Sequence, residues 1–312
     1  MIAAIAAILL NPRLGFREPV ASVTLMAVGD VMLDRFVGRA IDRFGPRYPF
    51  ARVRKTLNRA NIVYANLECP LTTEQKVLAK RFVFRVKPGS VGVFNLKPLT
   101  VLSTANNHSL DCGRKGLAQT LETLDRHHLQ HAGAGSTEDA AWQPLIVQRK
   151  GLKVAFIAVS DFPETVAGDS PVVCYYDEAR LKTSIQRARK SADIVVVCPH
   201  WGIEDTTVTS ERVKREARLI SDDGADLILG CHPHVLQSVT WLTRPDGGRT
   251  CVAFSMGNFV FDTTRALQTK TGIFSFTLNR RGVSASKLLP ATIVNCQPRI
   301  DSSPIAVKDG LY

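Results

Sequence analysis

Five short polar segments each follow an apolar run, and each carries a side chain able to hold a metal ion. They are Gly29-Asp30, Asn66-Leu67-Glu68, Asn106-Asn107-His108, His200-Trp201-Gly202 and Gly230-Cys231-His232-Pro233-His234. Four of the seven histidines lie in three of these segments. Carboxylate, imidazole and amide oxygen together suit Mn, Fe or Zn better than a soft thiolate site would. A single proline separates His232 from His234, so in an extended or turn segment the two rings can reach neighbouring metals. Asp30 and Glu68 offer anionic oxygens, one of which could bridge two ions, and Asn107 offers a neutral oxygen. Two ions so placed would bind a hydroxide and polarise a phosphoryl or acyl centre. Asp111 lies three residues beyond His108 and either orients that ring or caps the turn that follows. An oriented histidine beside the leaving group would act as general acid. His127, His128 and His131 sit on or after a helix and read as surface or capping residues. Taken singly, a Gly-Asp after a strand or one Asn-His pair is ordinary loop chemistry. The five segments in order point to a metal site.

The elements that must position these side chains alternate. Apolar strands read at 23–28, 62–65, 101–104, 193–198 and 226–229, each delivering one segment. Helical periodicity reads over 50–60, 115–128, 177–190 and 210–222. Residues 81–86 alternate as a short exposed strand or lobe, and 144–148 with 152–159 read as a hairpin turning at Lys150-Gly151. Further strands read at 235–242, 250–254, 258–261 and 272–278. Beyond Arg281 the chain alternates and carries Pro290, Pro298 and Pro304, which places it on the surface. Alternating strands and helices imply layered α/β packing, with ligands gathered along one sheet edge. The later strand-rich stretch implies a second sheet, so two sheets between helices. The expected organisation is an apolar arm or signal remnant over 1–20, one catalytic domain over 21–282 and a C-terminal surface extension over 283–312.

The chain has 312 residues and a formal charge of +12. The basic residues are spread out, which fits either a solvated surface or an anionic small molecule or polymer as partner. No nucleic-acid partner is expected, because no reading element or aromatic platform is visible. Seven cysteines without a CxxC pair argue against a complete disulfide framework and favour the cytoplasm. Residues 1–10, MIAAIAAILL, are too short to span a bilayer. If they belong to a longer signal or anchor, membrane association at the cell envelope follows instead.

The stretches AVGDVML, ANLECPLT, STANNHSLDCGRKGL, HAGAG, CPHWGIE, GADLILGCHPHVLQ and FSMGNFVFD together resemble the capsule synthesis protein A family of the poly-gamma-glutamate capsule machinery of bacteria. That family looks like a branch of the calcineurin-like metallophosphoesterases. The resemblance implies a four-layer α/β/β/α sandwich with a metal centre at the sheet edge. One ion would see Asp30, Glu68 and His234, and another Glu68, Asn107, His200 and His232. His108 would be the catalytic histidine, with Asp111 behind it. Met32 stands where the superfamily has a histidine, Glu68 replaces its bridging aspartate and Asn106 replaces a glycine. These departures leave open one or two divalent ions (Mn, Fe or Zn). Arg85 and Lys270 are candidate anion binders, Trp201 a candidate wall and Asn258 a candidate pocket residue. Solvated charges and a packed ring are the plain alternatives.

The resemblance implies a metal-dependent hydrolase of an anionic substrate, linked to capsule, exopolysaccharide or polyglutamate biosynthesis. The same centre could cleave an amide. An anion pocket made by Arg81, Arg85 or Lys270 would favour phosphate, and an open groove along Trp201 a polymer. The alternative from another class is a non-catalytic partner in a polymer synthesis or export complex.

Overall fold

The computed structural model describes residues 22–306, so the apolar run at 1–10 lies outside the described residues. In chain order the strands are β1 (Val23–Val31), β2 (Ile62–Leu67), β3 (Leu99–Ser103), β4 (Gln130–Ala132), β5 (Ala134–Gly135), β6 (Leu145–Arg149), β7 (Leu152–Ser160), β8 (Val172–Val173), β9 (Ile194–His200), β10 (Leu227–Leu229), β11 (Val239–Thr243), β12 (Arg249–Ala253), β13 (Asn258–Val260), β14 (Lys270–Asn279), β15 (Gly282–Val294), β16 (Gln297–Ile300) and β17 (Ile305–Ala306). The helices are α1 (Arg35–Phe44), α2 (Arg54–Leu57), α3 (Gly113–Arg126), α4 (Glu138–Trp142), α5 (Glu178–Ser191), α6 (Glu211–Asp222) and α7 (Ala266–Thr269).

Two large sheets result, as the alternation of strands and helices led one to expect. One runs β16-β15-β14-β1-β2-β3-β4, with β13 beside β1 and β17 beside β15. The other runs β11-β12-β10-β9-β7-β6. β1, β2, β3 and β4 are mutually parallel, as are β7, β9, β10 and β12. Parallel strands must be covered on both faces, which explains runs such as IVVVCPH in β9, buried at every position. One apolar cluster joins the inner faces of the sheets, with Leu25, Tyr64, Phe156, Val196, Leu229 and Phe274. A second covers the outer face of the first sheet with α1, through Val37 and Ile41. A third covers the second sheet with α5 and α6, through Leu181, Ile185, Val213 and Ala217. Each fully buried side chain of this size contributes about 1.5–3 kcal/mol.

Three elements differ from the sequence reading. The helix expected over 50–60 shrinks to α2, with turns on either side. α1 was not read at all. It is held by an Asp34 carboxylate accepting from the Arg35 N–H and by the buried pair Val37 and Ile41, one turn apart in an otherwise charged segment. Residues 81–86 form no strand; only an isolated bridge joins Leu71 to Val86.

Among the described residues, the stretch 282–300 is built into the larger sheet and is not a surface extension. β15 pairs along its length with β14, and β16 with β15. Leu288, Ala291 and Ile293 are buried. The alternation that suggested a surface tail is that of an antiparallel strand with one covered face. Pro290 sits opposite Gly272 and Pro298 opposite Ile293.

Candidate metal centre

Parallel strands deliver their C-terminal ends to one side, and the five segments meet there. Asp30 is the last residue but one of β1, Glu68 follows β2, Asn107 and His108 follow β3, His200 ends β9, and His232 and His234 follow β10. Asp30, Glu68 and His234 offer ligand atoms lying within 4.8 Å of one another, and all three residues are buried. Glu68 Oε1 lies 3.7 Å from His234 Nε2 and 3.9 Å from the Nε2 atoms of both His200 and His108. His200 Nε2 in turn lies 2.9 Å from Asn107 Oδ1 and 3.2 Å from His232 Nδ1.

Electrostatics follow from burial. Glu68 is fully buried, and neither of its oxygens has a hydrogen-bond partner. Burial, and then the neighbouring Asp30 carboxylate, push it well above the ordinary carboxylate range. Burial disfavours a charged His234, but Glu68 and Asp30 overcome it and raise this ring to about 10. His232 falls to about 3 through burial and the charge on His234. His200 is held well below its usual value by burial and then by His232. Two buried carboxylates this close together demand positive charge nearby. A divalent cation meets the same demand, and an otherwise unpartnered carboxylate is costly in such a place. Carboxylate oxygens, imidazole nitrogens and an amide oxygen suit it chemically, so the residues fit a divalent metal site.

Supporting groups fix the geometry. Asn258, opposite Asp30 in the β1–β13 register, places its Oδ1 2.9 Å from His234 Nδ1. This leaves Nε2 of that ring aimed at Glu68, the arrangement by which outer hydrogen bonds orient a ligating imidazole. Asn66 donates to Asp30 Oδ1 at 2.8 Å and lies 3.2 Å from His200 Nδ1. Asn106 donates to Asn66 Oδ1 and the Leu67 carbonyl, and accepts from the His108 N–H. His232 and His234 both have positive φ, +99° and +59°, a strained backbone for residues with a Cβ. Such strain gathers where a site imposes it.

His108 Nδ1 lies 2.8 Å from Asp111 Oδ2, and burial holds this ring below its usual value despite that contact. The buried Asp111 also accepts from the Phe84 N–H and pairs with Lys80 at 2.7 Å. Lys80 reaches the Asn107 carbonyl and Glu164 as well. The Phe162 ring lies against His232, tilted by 38°, with centroids 3.9 Å apart. Above the ligands opens a cavity of about 200 Å³, lined by His108, His234, Phe84 and Phe261 among others.

None of the four residues expected to bind substrate lines this cavity. Trp201 is 1% exposed and donates its Nε1–H to the Phe254 carbonyl at 2.9 Å, so it is a core ring and not a wall. Arg85 turns to solvent and donates to Gln75. Lys270, at the start of β14, contacts Thr292. Asn258 is wholly buried behind His234. Arginines that do line the cavity are Arg35, Arg81 and Arg265. Asn66, Arg35 and Lys80 went unread as site residues, because their partners lie far away in sequence. Cys231 is buried beside His232, and burial with the Asp30 charge keeps its thiol protonated. All seven cysteines are free. Among the described residues no helix is long and apolar enough to cross a membrane.

Comparison with known proteins bears on the fold and the family of the chain. A solved structure of a putative 5′-nucleotidase from Staphylococcus aureus, in complex with alpha-ketoglutarate, shares the fold with a TM-score of 0.56 at 16% identity. The match covers 90% of this chain and 55% of that one. The PGA biosynthesis protein CapA of Bacillus subtilis is 30% identical over 277 residues, covering 87% of this chain and 72% of its own. The capsule biosynthesis protein CapA of Bacillus anthracis is 30% identical over 290 residues, covering 89% and 69%. Residues 24–263 match the bacterial capsule synthesis protein family, PGA_cap. The chain belongs to that family.

Proposed function

We propose that this chain is a metal-dependent hydrolase of the calcineurin-like phosphoesterase type, acting on an anionic substrate in capsule or polyglutamate biosynthesis. The observation that carries the reading is Glu68, a buried carboxylate without a hydrogen bond, facing three imidazole nitrogens at 3.7–3.9 Å. In this reading Asp30, Glu68 and His234 hold one ion, and Glu68, Asn107, His200 and His232 a second. Divalent ions there supply Lewis acidity toward a phosphoryl or carbonyl oxygen. His108, directed by Asp111, gives the leaving group its proton. Asn258 and Asn66 hold ligand rings in place, and Phe162 shields one side of the cluster from water. The PGA and capsule biosynthesis proteins to which the chain is similar supply the biological setting.

The experiment is turnover of phosphodiester and phosphomonoester substrates with manganese added, for the native chain and His200→Ala. Turnover lost in the variant supports the reading. Equal turnover in both, or none in either, contradicts it. A second reading, a non-catalytic partner in a polymer synthesis complex, draws on Met32. That side chain is buried and accepts from the Asp34 N–H through its sulfur, so it adds no ligand. The same assay without turnover, in a chain free of metal, would favour it.

A further inference from the structure

The charges around the cavity are paired, with two exceptions. Arg35 pairs with Asp262 and lies over the rings of Phe82, Phe84 and Phe261 at 5.2–5.5 Å. Arg265 pairs with Asp205 at 2.7 Å, and Gln268 donates to the same carboxylate. Arg81 and Glu204 line the cavity too. Among the described residues neither makes a hydrogen bond or an ion pair. The Arg81 guanidinium rests over the Phe82 ring at 5.0 Å, which steadies it without neutralising it.

A lone cation and a lone anion on the lining of one small cavity select by charge pattern. A purely anionic group would gain from Arg81 but meet Glu204. A group bearing an amine and an acid satisfies both. We propose that this cavity takes a zwitterionic unit, its ammonium against Glu204 and its carboxylate or phosphate against Arg81. This rests on the reading of the cavity as the substrate site. It deepens that reading, because the substrate then presents a free amine close to the bond that is cleaved. The cavity, at about 200 Å³, suits one such unit rather than a stretch of polymer.

Binding alone tests this. The full chain is titrated by calorimetry or NMR with two matched pairs of probes: L-glutamate against N-acetyl-L-glutamate, and phosphoethanolamine against inorganic phosphate. The amine-bearing member of at least one pair should bind roughly tenfold more tightly, as expected for a charge-assisted hydrogen bond. The pair that shows the preference identifies the acid as carboxylate or phosphate. Glu204→Gln should erase the preference. Arg81→Gln should weaken both members, and Arg81→Lys should restore part of the loss. Both positions are exposed, so the variants should fold. Equal binding within both pairs, or a preference that survives Glu204→Gln, would overturn the proposal. An amine preference in a chain that shows no turnover would leave this inference standing and sink only the hydrolase reading.

Discussion

Asp111 stands at the junction of three contacts: the His108 ring, the Phe84 amide and the Lys80 ammonium. Asp111→Asn keeps the shape but offers an amide where an acceptor is required. Steady-state kinetics should show kcat lowered by about 10²–10⁴-fold, with metal content unchanged. An unaltered kcat would remove His108 from the chemistry. Trp201→Phe separates packing from substrate contact. Loss of the Nε1–H leaves the Phe254 carbonyl without its donor and should cost about 1–3 kcal/mol in denaturant unfolding. KM should stay the same, because the ring lies in the core. The gathering of Asp30, Glu68 and His234 was legible in the sequence because such side chains are rare at strand ends and the parallel strands deliver those ends to one side. Trp201 reads as a cavity wall but packs in the core, because a side chain's direction beyond a strand depends on partners remote in sequence. For Trp201 that partner is Phe254, 53 residues away.

At the level of elements, the site depends on how closely β1 approaches the segment before β13. The Asp30 N–H donates to the Gly257 carbonyl at 3.0 Å. A Cβ on Gly29 would lie 1.8 Å from that carbonyl oxygen. Only glycine permits this contact, which sets Asp30 beside Asn258 and so beside His234. Gly29→Ala should cost about 1–3 kcal/mol by overpacking and lower metal occupancy along with stability. Unfolding curves and metal analysis together check this; a variant as stable and as metal-rich as the native chain would contradict it. The strands of this region were legible because their burial on both faces leaves continuous apolar runs. α1 was hidden because its core contact rests on Val37 and Ile41 amid charged neighbours.

For the whole molecule, the last strands close the larger sheet. Ending the chain after Arg281 would strip β15 from β14 and expose an edge strand ten residues long. The truncated chain should aggregate or remain insoluble on expression, as judged by the soluble fraction and size-exclusion elution. A soluble, monomeric product would mean that the tail is peripheral after all. The central claim concerns the cluster where the two sheets meet. It is tested most directly by elemental analysis of the native chain and Glu68→Ala, each purified from medium supplied with manganese, iron and zinc. About two ions per native chain are expected, since Glu68 serves both proposed sites, with a near-complete loss in the variant. Trace metal at the same level in both proteins would contradict it.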